Sequence, residues 1–408
     1  MKTANINLRP EKKYITIDHK SYSVPDARPG GLPPMRVNRI AASVFFFIAG
    51  LTFSTWASRI PDVQSKLHLN DAGLGAVLFA LPIGLMVSLP LSGWLVSAFG
   101  SKKMVLAGAL FYPLLLIPLA ISASVFQITV TLFFFGLASN LVNIAMNTQA
   151  VGVEKLYKRS VMASFHGLWS LAVFAGALTG TLFVSAGLPT VMHFSIVAVV
   201  ACLLAIGAYN FSLPNDVNES GRAKLFTKPG KGIMLLGLIA FCSMLCEGAM
   251  ADWSGVYVKK IVDAPRSLIT LGYVAFSCTM AFGRFAGDWL VTKYGVKKML
   301  QLSGILITLG LIIAVAFPYL LSATAGFLLV GFGVSSVVPV VYGLAGRSSS
   351  MPASSALAAV STISFLGFLI GPPLIGFIAQ GISLRWSFAL VALLGFGTTL
   401  LAGKLKNE

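Results

Sequence analysis

The chain has 408 residues, 56% of them hydrophobic and 11% charged, with a formal net charge of +17 and a mean hydropathy of +0.85. A soluble domain carries about 25% charged residues, so a soluble globular fold is excluded, and the lack of roughly ten-residue alternation excludes a membrane β-barrel. Apolar runs of about twenty residues recur along nearly the whole length, which predicts an all-α integral membrane protein.

Residues 1–36 are polar, carry Pro25, Pro29, Pro33 and Pro34, and read as a disordered tail. No short apolar segment with a small-residue cleavage site marks the tail as a signal peptide. Twelve spans follow, at 38–59, 72–97, 103–122, 125–149, 161–186, 189–210, 232–258, 267–291, 297–316, 319–344, 354–380 and 384–404. Residues 211–231 (FSLPNDVNESGRAKLFTKPGK) are polar, with Pro and Gly, and read as a linker. The organisation is therefore a tail 1–36, a six-helix half 37–210, a linker 211–231 and a second six-helix half 232–408. Most of the 30 Lys and Arg fall on segments sharing a side with the amino terminus. That bias predicts both termini in the cytoplasm and accounts for the basic charge. No aromatic-interleaved basic patch occurs, so nucleic acid is excluded as a partner.

Polar residues inside spans are the informative ones. In the first span Thr52, Thr55, Trp56 and Arg59 stand at i, i+3, i+4 and i+7, one stripe of a helix. The threonines and Trp56 are candidates to line a cavity, with Trp56 stacking on a sugar ring or anchoring the interface. Arg59 either snorkels to water or serves as a gate contact. The fourth span carries Asn140, Asn143 and Asn147 on one face, to line a cavity or to knit helices together. His166, just inside the fifth span, is a candidate proton carrier or a hydrogen-bonded packing residue.

The seventh span reads CEGAMADW from Cys246 to Trp253. A carboxylate far from water costs several kcal/mol unless paired or neutralised. Glu247 lies roughly 22 Å in from the near end of the helix and shares a stripe with Ser243 and Ser254, so Glu247 is the leading proton-coupling candidate. Asp252, about 140° around the helix, lies near Lys259 and Lys260 and is expected to pair at the outer interface or gate. Arg284, in the eighth span, stands roughly 12 Å nearer the cytoplasm than Glu247, which leaves direct pairing open and favours a gate or helix-tying role. Tyr342 and Pro339 in the tenth span suggest a kink with a polar lining, and GPPLIG in the eleventh reads as a bend. Cys202, Cys242, Cys246 and Cys278 read as small apolar filler, neither disulfide nor metal set.

Gly93–Met104 reads GWLVSAFGSKKM and Asp288–Met299 reads DWLVTKYGVKKM, an offset of 195 residues (288 minus 93). Each copy closes an even-numbered span and opens the next. Two halves with matching loops at one offset imply an internal duplication with the halves parallel, a transporter architecture. Both copies resemble the loop signature of the major facilitator superfamily, with Gly93, Gly100, Lys102 and Lys103 matching in the first half and Gly295 in the second. Ser97 and Thr292 stand where the signature has an acid that helps lock the cytoplasmic gate, and Asp288 is the substitute candidate. The stretches NIAMNTQAVGVEK, ASFHGLWS, CEGAMADWSGVY, GYVAFSCTMAFGRFAGD and GFLIGPPLIG further resemble the fucose-permease-like branch, including YbjJ-like inner-membrane transporters. Asn143 replaces an acid often present in that branch.

The resemblance implies twelve transmembrane helices in two pseudo-symmetric halves that rock about a central site. It implies a monomer in the cell inner membrane that moves a small solute, with proton-coupled import of a polar or sugar-like molecule favoured. The fifth span, FAGALTGTLF, lacks the glycine-proline signature of antiporters, which counts against the alternative of proton-driven efflux. A second alternative is a non-transporting sensor using the tail. No phosphate loop, catalytic residue set, cofactor site or metal set is expected.

Overall fold

The structure, a computed structural model, describes residues 34–157, 161–214, 230–347 and 353–405, apart from the side chains of residues 34, 288, 353 and 354. Most of the expected tail and linker lies outside these residues. Among the described residues, twelve helices are long and apolar enough to cross a membrane: α1 (Met35–Lys66), α2 (Asp71–Phe99), α3 (Ser101–Ile121), α4 (Val125–Tyr157), α5 (Met162–Ser185), α6 (Thr190–Tyr209), α7 (Lys231–Lys260), α8 (Arg266–Gly287), α9 (Val296–Ala316), α10 (Leu320–Arg347), α11 (Ser355–Gly381) and α12 (Leu384–Gly403). Two helices outrun the expected spans. The first continues beyond Arg59 as a short helix, Ile60–Lys66, and α4 carries its polar end, VEKLY, out to Tyr157.

Proline spacing explains where the helices break. Regular helix stops at Ala57, Leu78, Leu114 and Ser335. Each stop lies four residues before a proline: Pro61, Pro82, Pro118 and Pro339. Proline has no N–H to give the carbonyl four residues back, and its ring crowds that carbonyl. The expected kink in α10 is thus real and falls at Ser336. Pro372 and Pro373 of GPPLIG lie instead inside an unbroken helix, and this segment packs closely on the start of α2. A Cβ on Gly75 would come within 2.6 Å of the Pro372 carbonyl.

Packing falls largely within α1–α6 or within α7–α12, with α5 against α8, α2 against α11, and the far end of α1 against α7 as the crossings. The 195-residue offset recurs in three dimensions. A Cβ on Gly136 would lie 2.0 Å from the Leu81 carbonyl, and one on Gly331 would lie 2.1 Å from the Phe276 carbonyl. Both glycines and both carbonyls stand 195 residues apart (331 minus 136, 276 minus 81). Gly100 and Gly295, the glycines of the repeated loop, share one conformation, φ 85° and ψ 148° against φ 78° and ψ 156°. That region is essentially reserved for glycine, so each helix can stop and the next begin without a spacer.

The two loops mark what is called here the repeat end of the bundle. At the opposite, far end the halves are tied. Lys260 Nζ meets Asp71 Oδ1 at 2.6 Å, Lys259 donates to the Ser65 hydroxyl, and Arg266 lies 3.8 Å from Asp62. The Thr181 and Thr270 hydroxyls are 2.7 Å apart. A further bond between the halves joins Arg284 to Ser170.

Candidate functional site

Helix α7 is the most buried span and α1 the next, so polar residues on these two helices face protein rather than lipid. Thr52, Thr55, Trp56 and Ser243 are at most 1% exposed, and Asn140 is 4% exposed. Each carries a buried polar atom with no hydrogen-bond partner among the described residues: both threonine hydroxyls, the Trp56 indole nitrogen, the Ser243 hydroxyl and the Asn140 amide nitrogen. Ser254, Trp253 and Tyr273 add three more. A buried polar group left unmade costs about 1–3 kcal/mol. These atoms lie on α1, α4, α7 and α8. Five of the eight cavity candidates read from the sequence are among them.

The other three cavity candidates differ. Asn147 donates to the Asn143 carbonyl and to its side-chain oxygen, both at 2.8 Å. The asparagine stripe therefore splits: Asn140 is buried and unpartnered, while Asn143 and Asn147 bond to each other along the helix. Tyr342 is half-buried on the short helix that follows the α10 break.

Glu247 and Arg284 form the charged centre. Arg284 Nη2 lies 3.5 Å from Glu247 Oε1, and both side chains are largely buried. The sequence places them roughly 12 Å apart in height, yet they meet. A helical Cβ leans toward the helix amino terminus. Helix α7 runs away from the repeat end and α8 runs toward it, so the two long side chains lean toward one another and close the gap. Arg284 also crosses between the halves. Its Nη1 donates to the Ser170 hydroxyl at 2.8 Å, and its guanidinium sits 5.2 Å from the Trp169 ring centroid. Ser170 donates in turn to the His166 carbonyl. His166 itself is exposed, with its ring edge on Phe46 at 5.3 Å. Trp169 and Ser170 carry this junction without having stood out in the sequence, since a lone serine and tryptophan in an apolar span look like packing.

Arg59 does not snorkel. It is fully buried, and its Nη1 meets Asp62 Oδ2 at 2.7 Å, its Nε donates to His193 Nδ1 at 3.3 Å, and its Nη2 donates to the Leu188 carbonyl at 3.2 Å. The chain turns at Ser58–Arg59 and resumes as the short helix, which folds the arginine back into the protein. Asp252 also departs from expectation. Lys259 and Lys260 are taken by Ser65 and Asp71 of the other half, and Asp252 has no ion pair or hydrogen bond among the described residues.

At the repeat end, Lys102 lies 4.9 Å over the Tyr209 ring and joins α3 to α6. Lys103 is exposed, and a Cβ on Gly93 or Gly295 would meet nothing. None of Gly93, Gly100, Lys102 or Lys103 bonds to the other half among the described residues. The side chain of Asp288 lies outside them.

The family model described as Major Facilitator Superfamily matches residues 42–349 and 236–406. An uncharacterized MFS-type transporter of Yersinia pestis is 36% identical over 358 residues, covering 87% of this chain and 92% of its own. The solved structure of the nucleoside transporter NupG superposes with a TM-score of 0.74 at 12% identity, over 91% of this chain and 100% of that one. A bacterial homolog of the human lysosomal transporter Spinster, inward-facing and occupied, gives 0.71 at 14% identity over 92% and 98%. These likenesses reach the superfamily and go no further toward the fucose-permease-like branch. The twelve helices, the duplicated halves and the buried polar interior thus have one common account: the chain belongs to the major facilitator superfamily of secondary transporters.

Proposed function

We propose that this protein imports a small polar, sugar-like solute together with protons, and that Glu247 is the coupling group. The observation that carries this reading is the Glu247–Arg284 pair, buried beside unpartnered hydroxyl, indole and amide groups. A buried carboxylate stays ionised only while a cation compensates it. When Glu247 takes a proton, Arg284 loses its counter-charge and keeps only Ser170 and Trp169, which belong to the other half. Protonation thus changes what Arg284 ties together, and that tie lies between the halves that must rock. His166, exposed at the same level, is the next proton carrier to test.

The excess of Lys and Arg at the repeat end supports an inner-membrane protein with both termini cytoplasmic. Its tied far end would then face outward. The working unit in this reading is a monomer.

The test is transport in proteoliposomes. One charge moving through 100 mV supplies about 2.3 kcal/mol, enough for roughly fifty-fold accumulation at about 1.4 kcal/mol per decade. Glu247→Gln is expected to abolish uphill uptake driven by a pH gradient and to retain counterflow exchange. If the glutamine variant still accumulates solute when pH alone drives it, the proton rides elsewhere. Proton-driven efflux would use the same pair, and the direction of the pH-driven flux separates the two.

A further inference from the structure

Every residue from Cys242 to Ser254 is buried except Asp252, which is partly exposed. That exposure falls on the most buried helix of the protein. The register with α1 sets its surroundings. Gly255 packs on Pro61, where a Cβ would come within 3.0 Å of the proline ring. Helices α1 and α7 run the same way, so Asp252, about one turn before Gly255, stands near the Ser58–Arg59 turn, on the far side of Thr55 and Trp56. Tyr273, near the start of α8, is buried, with no hydrogen-bond partner for its hydroxyl among the described residues. Asp252 therefore borders the far side of the polar interior already described.

The charges deep in the spans do not cancel. Arg59 has Asp62, and Arg284 has Glu247. Asp252 has nothing. A carboxylate taken out of water costs several kcal/mol unless a counter-charge meets it. The unpartnered groups toward this end are the Thr55 hydroxyl and the Trp56 indole N–H of α1 and the Tyr273 hydroxyl of α8, which suit the oxygens of a guest. No cluster of metal-ligating side chains occurs among the described residues. A trapped metal ion is therefore poorly served, whereas an ammonium group needs one carboxylate and is also welcome against aromatic faces.

We propose that Asp252 is the anchor for a positively charged nitrogen on the transported solute, so that the solute is a small hydroxylated amine rather than a neutral sugar. This rests on the reading of the protein as a solute importer with its site between α1, α4, α7 and α8. It replaces a gate role for Asp252 with a binding one, and it leaves proton coupling to Glu247. The amine nitrogen sits at the far side of the interior and the hydroxyls below it, among Thr52, Thr55 and Asn140.

The experiment is a thermal-shift titration of the purified full chain with matched pairs that differ only by an amine: glucose, glucosamine and N-acetylglucosamine, then glycerol and serinol, then ribose and ribosylamine analogues. A ligand that binds only the folded form raises the melting temperature with concentration. The amine members are expected to shift wild type, and their neutral and acetylated partners are not. Asp252→Asn is expected to weaken the response to amines about tenfold or more while melting within a few degrees of wild type without ligand. Asp252→Glu, which restores the charge, should recover part of the response should the asparagine variant prove unstable. Three outcomes overturn the proposal: neutral members shift wild type as much as amines, no amine shifts it, or the amine response persists in Asp252→Asn. Failure of proton coupling would appear separately, as pH-driven uptake that survives Glu247→Gln while amine selectivity stays intact.

Discussion

Arg284 is held by three different kinds of contact: a carboxylate on α7, a hydroxyl on α5 and the face of Trp169. Removing one partner of a buried ion pair leaves an uncompensated charge, which costs about 3–5 kcal/mol. Arg284→Gln is therefore expected to lower the melting temperature markedly, and Glu247→Gln to do so less, because the remaining guanidinium keeps Ser170. The double substitution should melt higher than Arg284→Gln alone, since neither charge is then left bare. Melting curves of the four proteins give the coupling as a double-mutant cycle; an additive double substitution would mean that the pair does not interact. Glu247 was legible in the sequence because a charge in an apolar run is conspicuous. Its partner was not, because height along a helix says nothing of side-chain lean, and lean depends on which way each helix runs. Arg59 escaped for a related reason. Its carbonyl partner, Leu188, and His193 come from the turn between α5 and α6 and the start of α6, more than a hundred residues away.

At the level of helices, the apolar pattern located all twelve spans, because a bilayer imposes length and hydrophobicity on every one. The breaks were less visible. Ala57, Leu78, Leu114 and Ser335 each end a helix four residues ahead of a proline, yet Pro90, Pro372 and Pro373 sit inside helices that continue. Sequence alone does not separate the two groups, since a broken backbone bond is tolerated wherever packed neighbours allow it. Close helix crossings are similarly hidden until two halves are compared. Gly136 and Gly331 each meet a backbone carbonyl at a distance no Cβ tolerates, and in a membrane such small-residue contacts carry much of the helix association. Gly136→Ala and Gly331→Ala are each expected to destabilise the protein by about 1–3 kcal/mol, the usual cost of overpacking. Gly207→Ala, where a Cβ meets nothing, should be neutral or slightly stabilising, as alanine is the better helix former. Measured by thermal melting, equal effects at all three sites would show that the crossings at Gly136 and Gly331 accommodate a Cβ.

For the whole molecule, the repeat read from one loop foretold a pair of halves but not which end of the bundle would be tied. That depends on contacts such as Lys260 with Asp71 and Thr181 with Thr270, each between residues roughly ninety to two hundred positions apart. Secondary transport by rocking requires these far-end ties to break once per cycle. The threonine pair offers a direct test. Its two hydroxyl oxygens are 2.7 Å apart, which brings the Cβ atoms near the roughly 3.5–4.5 Å that a disulfide needs. In a background with Cys202, Cys242, Cys246 and Cys278 replaced, Thr181→Cys with Thr270→Cys should cross-link on mild oxidation and hold α5 against α8 at the far end. Net flux through proteoliposomes should then fall to background and return on reduction. Ligand-dependent thermal stabilisation should persist in the cross-linked form, because the cross-link closes only the far end. Undiminished flux with the cross-link intact would mean that the far end need not open, and the rocking of the two halves about a central site would have to be abandoned for this protein.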